Sequence, residues 1–192
     1  MKIYEDSTFS KIDVKTNPLM KGFYENCRFE QCDLSEGDLS ECKFSECSFE
    51  DCNLSLANLT HSAFQNVLFR NCKMLGIQFT KCDENRLSFR FEYCVLNHSS
   101  FHKTSVKKTS FVHTQLQEVD FSECDLSQSV FDHCDMLRAV FENSNLEKAD
   151  FRTAMNYTID PDSNKIRKAK FSVYGLSGLL GKYGIHIEDN PV

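Results

Sequence analysis

The chain has 192 residues, a formal net charge of −6, 17 Phe, no Trp, 10 Cys, 7 Gly and 3 Pro. This length allows one domain with a sizeable core, and the acidic balance argues against direct nucleic-acid binding. No apolar run approaches the ~20 residues of a membrane span, and the opening MKIYEDSTFSKIDVKTN lacks the apolar stretch of a secretory signal, so the expected location is the cytoplasm with no membrane partner.

Such lopsided counts point to one structural slot used many times. Starting at Tyr4, every fifth residue is apolar, through Phe9, Val14, Leu19, Tyr24 and Phe29 and onward to Phe79; Glu84 is the one exception, and Phe89 follows it. The phase slips by two and resumes at Leu96, running through Phe101, Val106 and Phe111 to Phe151. From Gly22 onward the position two before each of these holds mostly a small residue, and all ten cysteines sit in that slot. The other three positions of each unit are mostly polar and are expected to face water. A helix repeats near 3.6 and a flat strand near 2. A period of five requires a short extended piece and a turn, repeated. Two inward and three outward side chains make one side of a square coil of 20 residues. Coils then stack as parallel ladders about 4.8 Å apart.

In chain order, residues 1–21 read as an irregular capping coil, because Lys2, Ile12, Asn17 and Pro18 stand where small residues belong. The regular solenoid follows and extends to residue 171. Residues 83–93 interrupt it as a two-residue bulge, expected to turn Glu84 outward, since an unpaired buried carboxylate is costly. Residues 155–165 form a loop around the turn signal Asp160-Pro161-Asp162. Val173, Leu176, Leu180 and Tyr183 then recur at spacings of 3, 4 and 3, with Leu179 widening the stripe. This predicts an α-helix over 172–184, stopped at Gly184 and closing the end of the solenoid. Residues 185–192 are a tail.

No spacing supports catalysis. The cysteines form straight ladders that do not converge on a metal, and parallel thiols have poor disulfide geometry. They are expected to be reduced core thiols. His61, His98, His102, His113 and His133 fall on outward corners. There is no phosphate loop, HExxH or GxSxG, and walls without long loops offer no concave pocket. No cofactor or metal and no enzymatic activity are expected. The charges are banded: residues 21–60 carry nine acids and three bases, 61–115 eight bases and three acids, and 116–150 nine acids and two bases.

Units such as CDLSE, CKFSE, CNLSL, ANLTH and ADFRT resemble the A(D/N)LXX signature of the pentapeptide-repeat family. That resemblance spans residues 4–171 and implies an all-β fold, a right-handed quadrilateral parallel β-helix with a short C-terminal α-helix. The layout is similar to the quinolone-resistance (Qnr) and microcin-immunity branch, with its apolar C-terminal segment, here IDPDSNKIRKAKFSVYGLSGLLGKYGIHIE. The branch implies a two-fold homodimer joined through Val173, Tyr174, Leu176, Leu179, Leu180 and Tyr183. It also implies a DNA-mimicking rod that binds DNA gyrase or topoisomerase IV. Asp33, Glu36, Asp38, Glu41, Asp120 and Glu123 would then stand in for phosphates. The alternative is a structural or interaction scaffold with another partner.

Overall fold

A turn at every fifth residue needs a backbone that bends sharply, and the chain supplies it the same way nearly everywhere. The residue two after each inward apolar side chain adopts positive φ: 48° at Asp6, 58° at Glu36, 63° at His98. That conformation costs a non-glycine residue on the order of 1–2 kcal/mol. It is offset because the same residue donates its N–H to the next coil: Glu36 to the Ser55 carbonyl at 2.9 Å, Glu41 to Thr60 at 2.9 Å, His98 to Gln117 at 3.0 Å. The computed structural model describes residues 2–83 and 86–188. Within them the chain winds as a parallel solenoid with four walls. Residues 20 apart pair in register, as in Phe29↔Phe49 and Asp33↔Asn53. The walls are named first to fourth by their opening inward residues Tyr4, Phe9, Val14 and Leu19. The first two walls of the opening 21 residues already pair with the next coil, Tyr4↔Tyr24 and Phe9↔Phe29.

The core is two columns of rings. The second wall stacks Phe9, Phe29, Phe49, Phe69, Phe91, Phe111, Phe131, Phe151 and Phe171 without a break, at centroid spacings of 4.5–5.4 Å. The other column changes walls. It runs up the first wall through Tyr4, Tyr24, Phe44 and Phe64, then continues on the fourth through Phe79, Phe101, Phe121 and Phe141. Phe89 bridges the change, with its ring 5.3–6.2 Å from Phe64, Phe69, Phe79 and Phe91.

This corrects the register expected from the sequence. Phe91, not Phe89, takes the column position and pairs with Phe69 and Phe111. Phe89 pairs with Val67, a small-residue position. The extra residues are absorbed before Phe89, so that the strand Leu87–Glu92 can pair with the strand Ala63–Arg70. Strand alternation then turns both Phe89 and Phe91 inward. Glu84, whose outward turn was expected, lies outside the described residues. Glu92 anchors this stretch: it is nine-tenths buried, with Arg70 Nε at 2.9 Å and Arg90 Nε at 2.6 Å.

The small slot has a chemical reason beyond size. Its side chain reaches the carbonyl of an inward residue one coil back. Cys52 Sγ donates to Phe29 O at 3.3 Å, Cys72 to Phe49 O at 3.3 Å and Ser144 Oγ to Phe121 O at 2.7 Å. All ten thiols are buried.

Candidate functional site

Two regions face outward with more than ordinary surface character. One is the acid-bearing third and fourth walls. The other is the C-terminal module, residues 172–184.

On the walls, Asp33, Asp38 and Asp120 each precede an inward residue, and each caps its own turn. Asp33 Oδ1 accepts from the Ser35 N–H at 3.0 Å and its hydroxyl at 2.6 Å. Asp38 Oδ1 accepts from the Ser40 N–H at 3.1 Å and Asn58 Nδ2 at 3.0 Å. Asp120 Oδ1 accepts from the Ser122 N–H at 2.9 Å and its hydroxyl at 2.6 Å. Asp and Asn favour turns because their side chains bond their own backbone two residues on, which explains the Asp/Asn preference at this position. The Ser35 hydroxyl and backbone together hold the Asp33 carboxyl below its ordinary range. Glu41 and Glu123 sit on positive-φ corners and meet lysines of the coil beneath, Lys21 at 3.0 Å and Lys103 at 3.5 Å. Glu36 is exposed, and its carboxylate has no hydrogen bond or ion pair among the described residues. The walls thus bring Asp33 beside Glu36 and Asp38 beside Glu41, while Asp120 and Glu123 lie four coils higher on the fourth wall. Sequence reasoning placed these side chains outward but missed that half of them are turn caps.

The bases of the middle band are partly tied to neighbouring acids. Arg70 meets Glu92 and Glu50, Arg86 meets Asp83, Lys103 meets Glu123 and Lys107 meets Asp125 at 3.2 Å.

The C-terminal stripe folds differently from the single helix expected. A 3-10 turn over Val173–Gly175 leads to a four-residue α-helix, Ser177–Leu180, and a second 3-10 turn over Gly181–Tyr183. Gly175, Gly178 and Gly181 lower helix propensity by about 1 kcal/mol each, and the first two are required for packing. A Cβ on Gly175 would lie 2.1 Å from Tyr157 Oη, and one on Gly178 would lie 2.3 Å from the Tyr157 carbonyl oxygen. Gly184 does end the module in the left-handed region, at φ 61°. Leu179 packs against the core and Leu180 is half-buried. Val173, Tyr174, Leu176 and Tyr183 point out, with Val173 80% and Tyr174 98% exposed. Ile185 and Ile187 extend that apolar row. Beside it lies a cleft of about 660 Å³ lined by Leu137, Arg152, Met155, Tyr157 and Tyr174 among others. This concavity, made by the module against the wall, was not expected from the repeat.

No described helix is long and apolar enough to cross a membrane. The family model for the pentapeptide repeat region matches residues 24–90 and 87–151. Among solved structures, full-length QnrB1, described as a plasmid-mediated fluoroquinolone resistance protein, is similar over 96% of this chain and 100% of its own. Its identity is 18% and the TM-score 0.64. HetL, a pentapeptide-repeat protein involved in heterocyst differentiation regulation from the cyanobacterium Nostoc sp. strain PCC 7120, matches over 90% of this chain and 85% of its own. Its identity is 15% and the TM-score 0.47. No curated protein matches.

Proposed function

The chain belongs to the pentapeptide-repeat family, and from that premise we propose that it is a non-catalytic, cytoplasmic rod that binds a type II topoisomerase in place of duplex DNA. The partner is DNA gyrase or topoisomerase IV, and the working form is a two-fold dimer joined through the C-terminal module.

The observation that carries this reading is the charge per unit length. Residues 21–60 form two coils, a rise of about 9.6 Å at ~4.8 Å per coil. They hold nine acids and three bases, a net charge of −6. One net charge per ~1.6 Å compares with one per ~1.7 Å of duplex DNA. Residues 116–150 rise about 8.4 Å and hold nine acids and two bases, a net of −7. Each acidic band therefore reaches the linear charge density of DNA over roughly a quarter of a helical turn. The basic band between them breaks the likeness, though five of its eight bases already face acids. The fold of QnrB1 supports the reading by analogy only. The exposed row from Val173 to Tyr183 supports the dimer, because apolar surface of this kind marks an interface.

The test is gyrase supercoiling, with and without a fluoroquinolone, at two salt concentrations. The wild type should inhibit gyrase or rescue it from the drug at micromolar concentration, less so at high salt. A variant with Asp33, Asp38 and Asp120 changed to Asn and Glu36, Glu41 and Glu123 to Gln should lose the effect. It should stay folded, since Asn58 caps its turn as Asp38 does. A fully active variant would rule out mimicry. An inert wild type would leave an interaction scaffold for another partner.

A further inference from the structure

We infer that residues 172–184 form a releasable lid on the last coil, with the Tyr157 hydroxyl built in as the element that opposes closure. Tyr157 is 4% exposed, and its Oη is buried without a hydrogen-bond partner. Its ring leans on Phe151 and Phe171 at the top of the core. The lid is what buries the hydroxyl: Gly175 lies directly over Oη, and Gly178 over the Tyr157 carbonyl and ring. A phenol in water keeps its hydrogen bonds, and under the lid it has no partner from the protein. Closure therefore carries a desolvation penalty at this one atom.

The holding contacts are few and local. The Ile159 N–H donates to the Gly178 carbonyl at 2.9 Å. Lys182 Nζ reaches Asp160 Oδ1 at 2.6 Å and also contacts Asp162. Leu179 packs on the core. Both carboxylates belong to the loop around Pro161, and the Asp162 side chain is 77% exposed. The latch is thus screened by salt. Leu179, the half-buried Leu180, one backbone bond and one partly exposed ion cluster are set against a buried hydroxyl with no protein partner. Elements with so few buried contacts open at low free energy. Lid opening would uncover Tyr157, Leu179 and Phe171, and would move Val173 and Tyr174 off the rod. On the reading proposed above, the lid then governs presentation of the dimer surface, but the device itself does not depend on that reading.

The amide of Ile159 reports closure, because its acceptor is on the lid. Hydrogen exchange by NMR, with sedimentation on the same samples, separates the lid from dimerisation, since the comparison among variants stands whether the protein is monomeric or dimeric. Tyr157→Phe should slow Ile159 exchange about tenfold by removing the unpaired hydroxyl. Lys182→Gln should speed it several-fold, and added salt should do the same in wild type but not in Lys182→Gln. Gly175→Ala should expose the Ile159 amide while that of His113, bonded within the walls to Asp132 at 2.8 Å, stays protected. Tyr157→Phe exchanging at the wild-type rate or faster overturns the inference, as does Gly175→Ala with Ile159 still protected.

Discussion

Replacing Phe111 by Ala tests whether the ring column is the spine of the fold. Phe111 is fully buried. It stacks on Phe91 at 5.2 Å and on Phe131 at 5.0 Å, and meets Phe101 and Phe121 edge-on at 6.3 and 6.2 Å. Truncation removes the ring and leaves a cavity that four neighbouring rings, fixed by their own ladders, cannot close. Buried Phe→Ala changes cost about 3–5 kcal/mol, and this site belongs at the upper end. With an m-value of about 2 kcal/mol/M, the urea midpoint should fall by roughly 2 M. Phe9 stacks on Phe29 on one side only, meets Tyr4 and Tyr24 edge-on, and is only half-buried at the open end. A solenoid's stability sums over neighbouring coils, so Phe9→Ala should cost about half as much. The assay is urea unfolding followed by far-ultraviolet circular dichroism. A Phe111→Ala midpoint no lower than that of Phe9→Ala would refute the reasoning.

Three other outcomes follow, the first from the proposed dimer and the others from the structure. Val173→Asp with Tyr174→Asp should give monomers by analytical ultracentrifugation without unfolding, since both side chains face solvent; Leu179→Asp should instead lower stability, because Leu179 packs on the core. Thiol titration at pH 8 should be slow in native protein and release ten thiols on denaturation, as burial pushes Cys42 up to about 11 and Cys82, Cys124 and Cys134 up to about 12. The thermal midpoint should be flat from about pH 7 to 5 and fall below about pH 4. Ser35 at Asp33 and Arg152 at Asp150 hold those carboxyls below their ordinary value. Their contribution is therefore present above that value and lost as pH drops through the lowered one; a midpoint unchanged at pH 3 would contradict it.

The walls were legible because burial acts on every fifth residue alike: Phe29, Phe49 and Leu54 could be placed inward from period alone. The slip was not. Phe89 fits the old phase by count, yet parallel pairing with Val67 and Phe69 decides which phenylalanine joins the column, and pairing across coils leaves no mark in a single repeat. Outward acids were legible as outward, but the capping roles of Asp33 and Asp120 depend on a serine two residues later, a local pattern that a search for charge overlooks. At the C-terminus the stripe Val173, Leu176, Leu180, Tyr183 satisfied helical spacing. What overrode it is tertiary: Gly175 and Gly178 are shaped to Tyr157, and their packing favours tight turns over a continuous helix.

Mimicry of duplex DNA is tested most directly by displacement. Fluorescently labelled duplex is bound to purified gyrase at low salt, and this protein is titrated in while anisotropy is recorded. The account predicts that the duplex is released at micromolar protein, that the midpoint rises steeply with salt, and that the six-site Asn/Gln variant releases none. Duplex that stays bound at every protein concentration, or release by the neutralised variant equal to wild type, would contradict it.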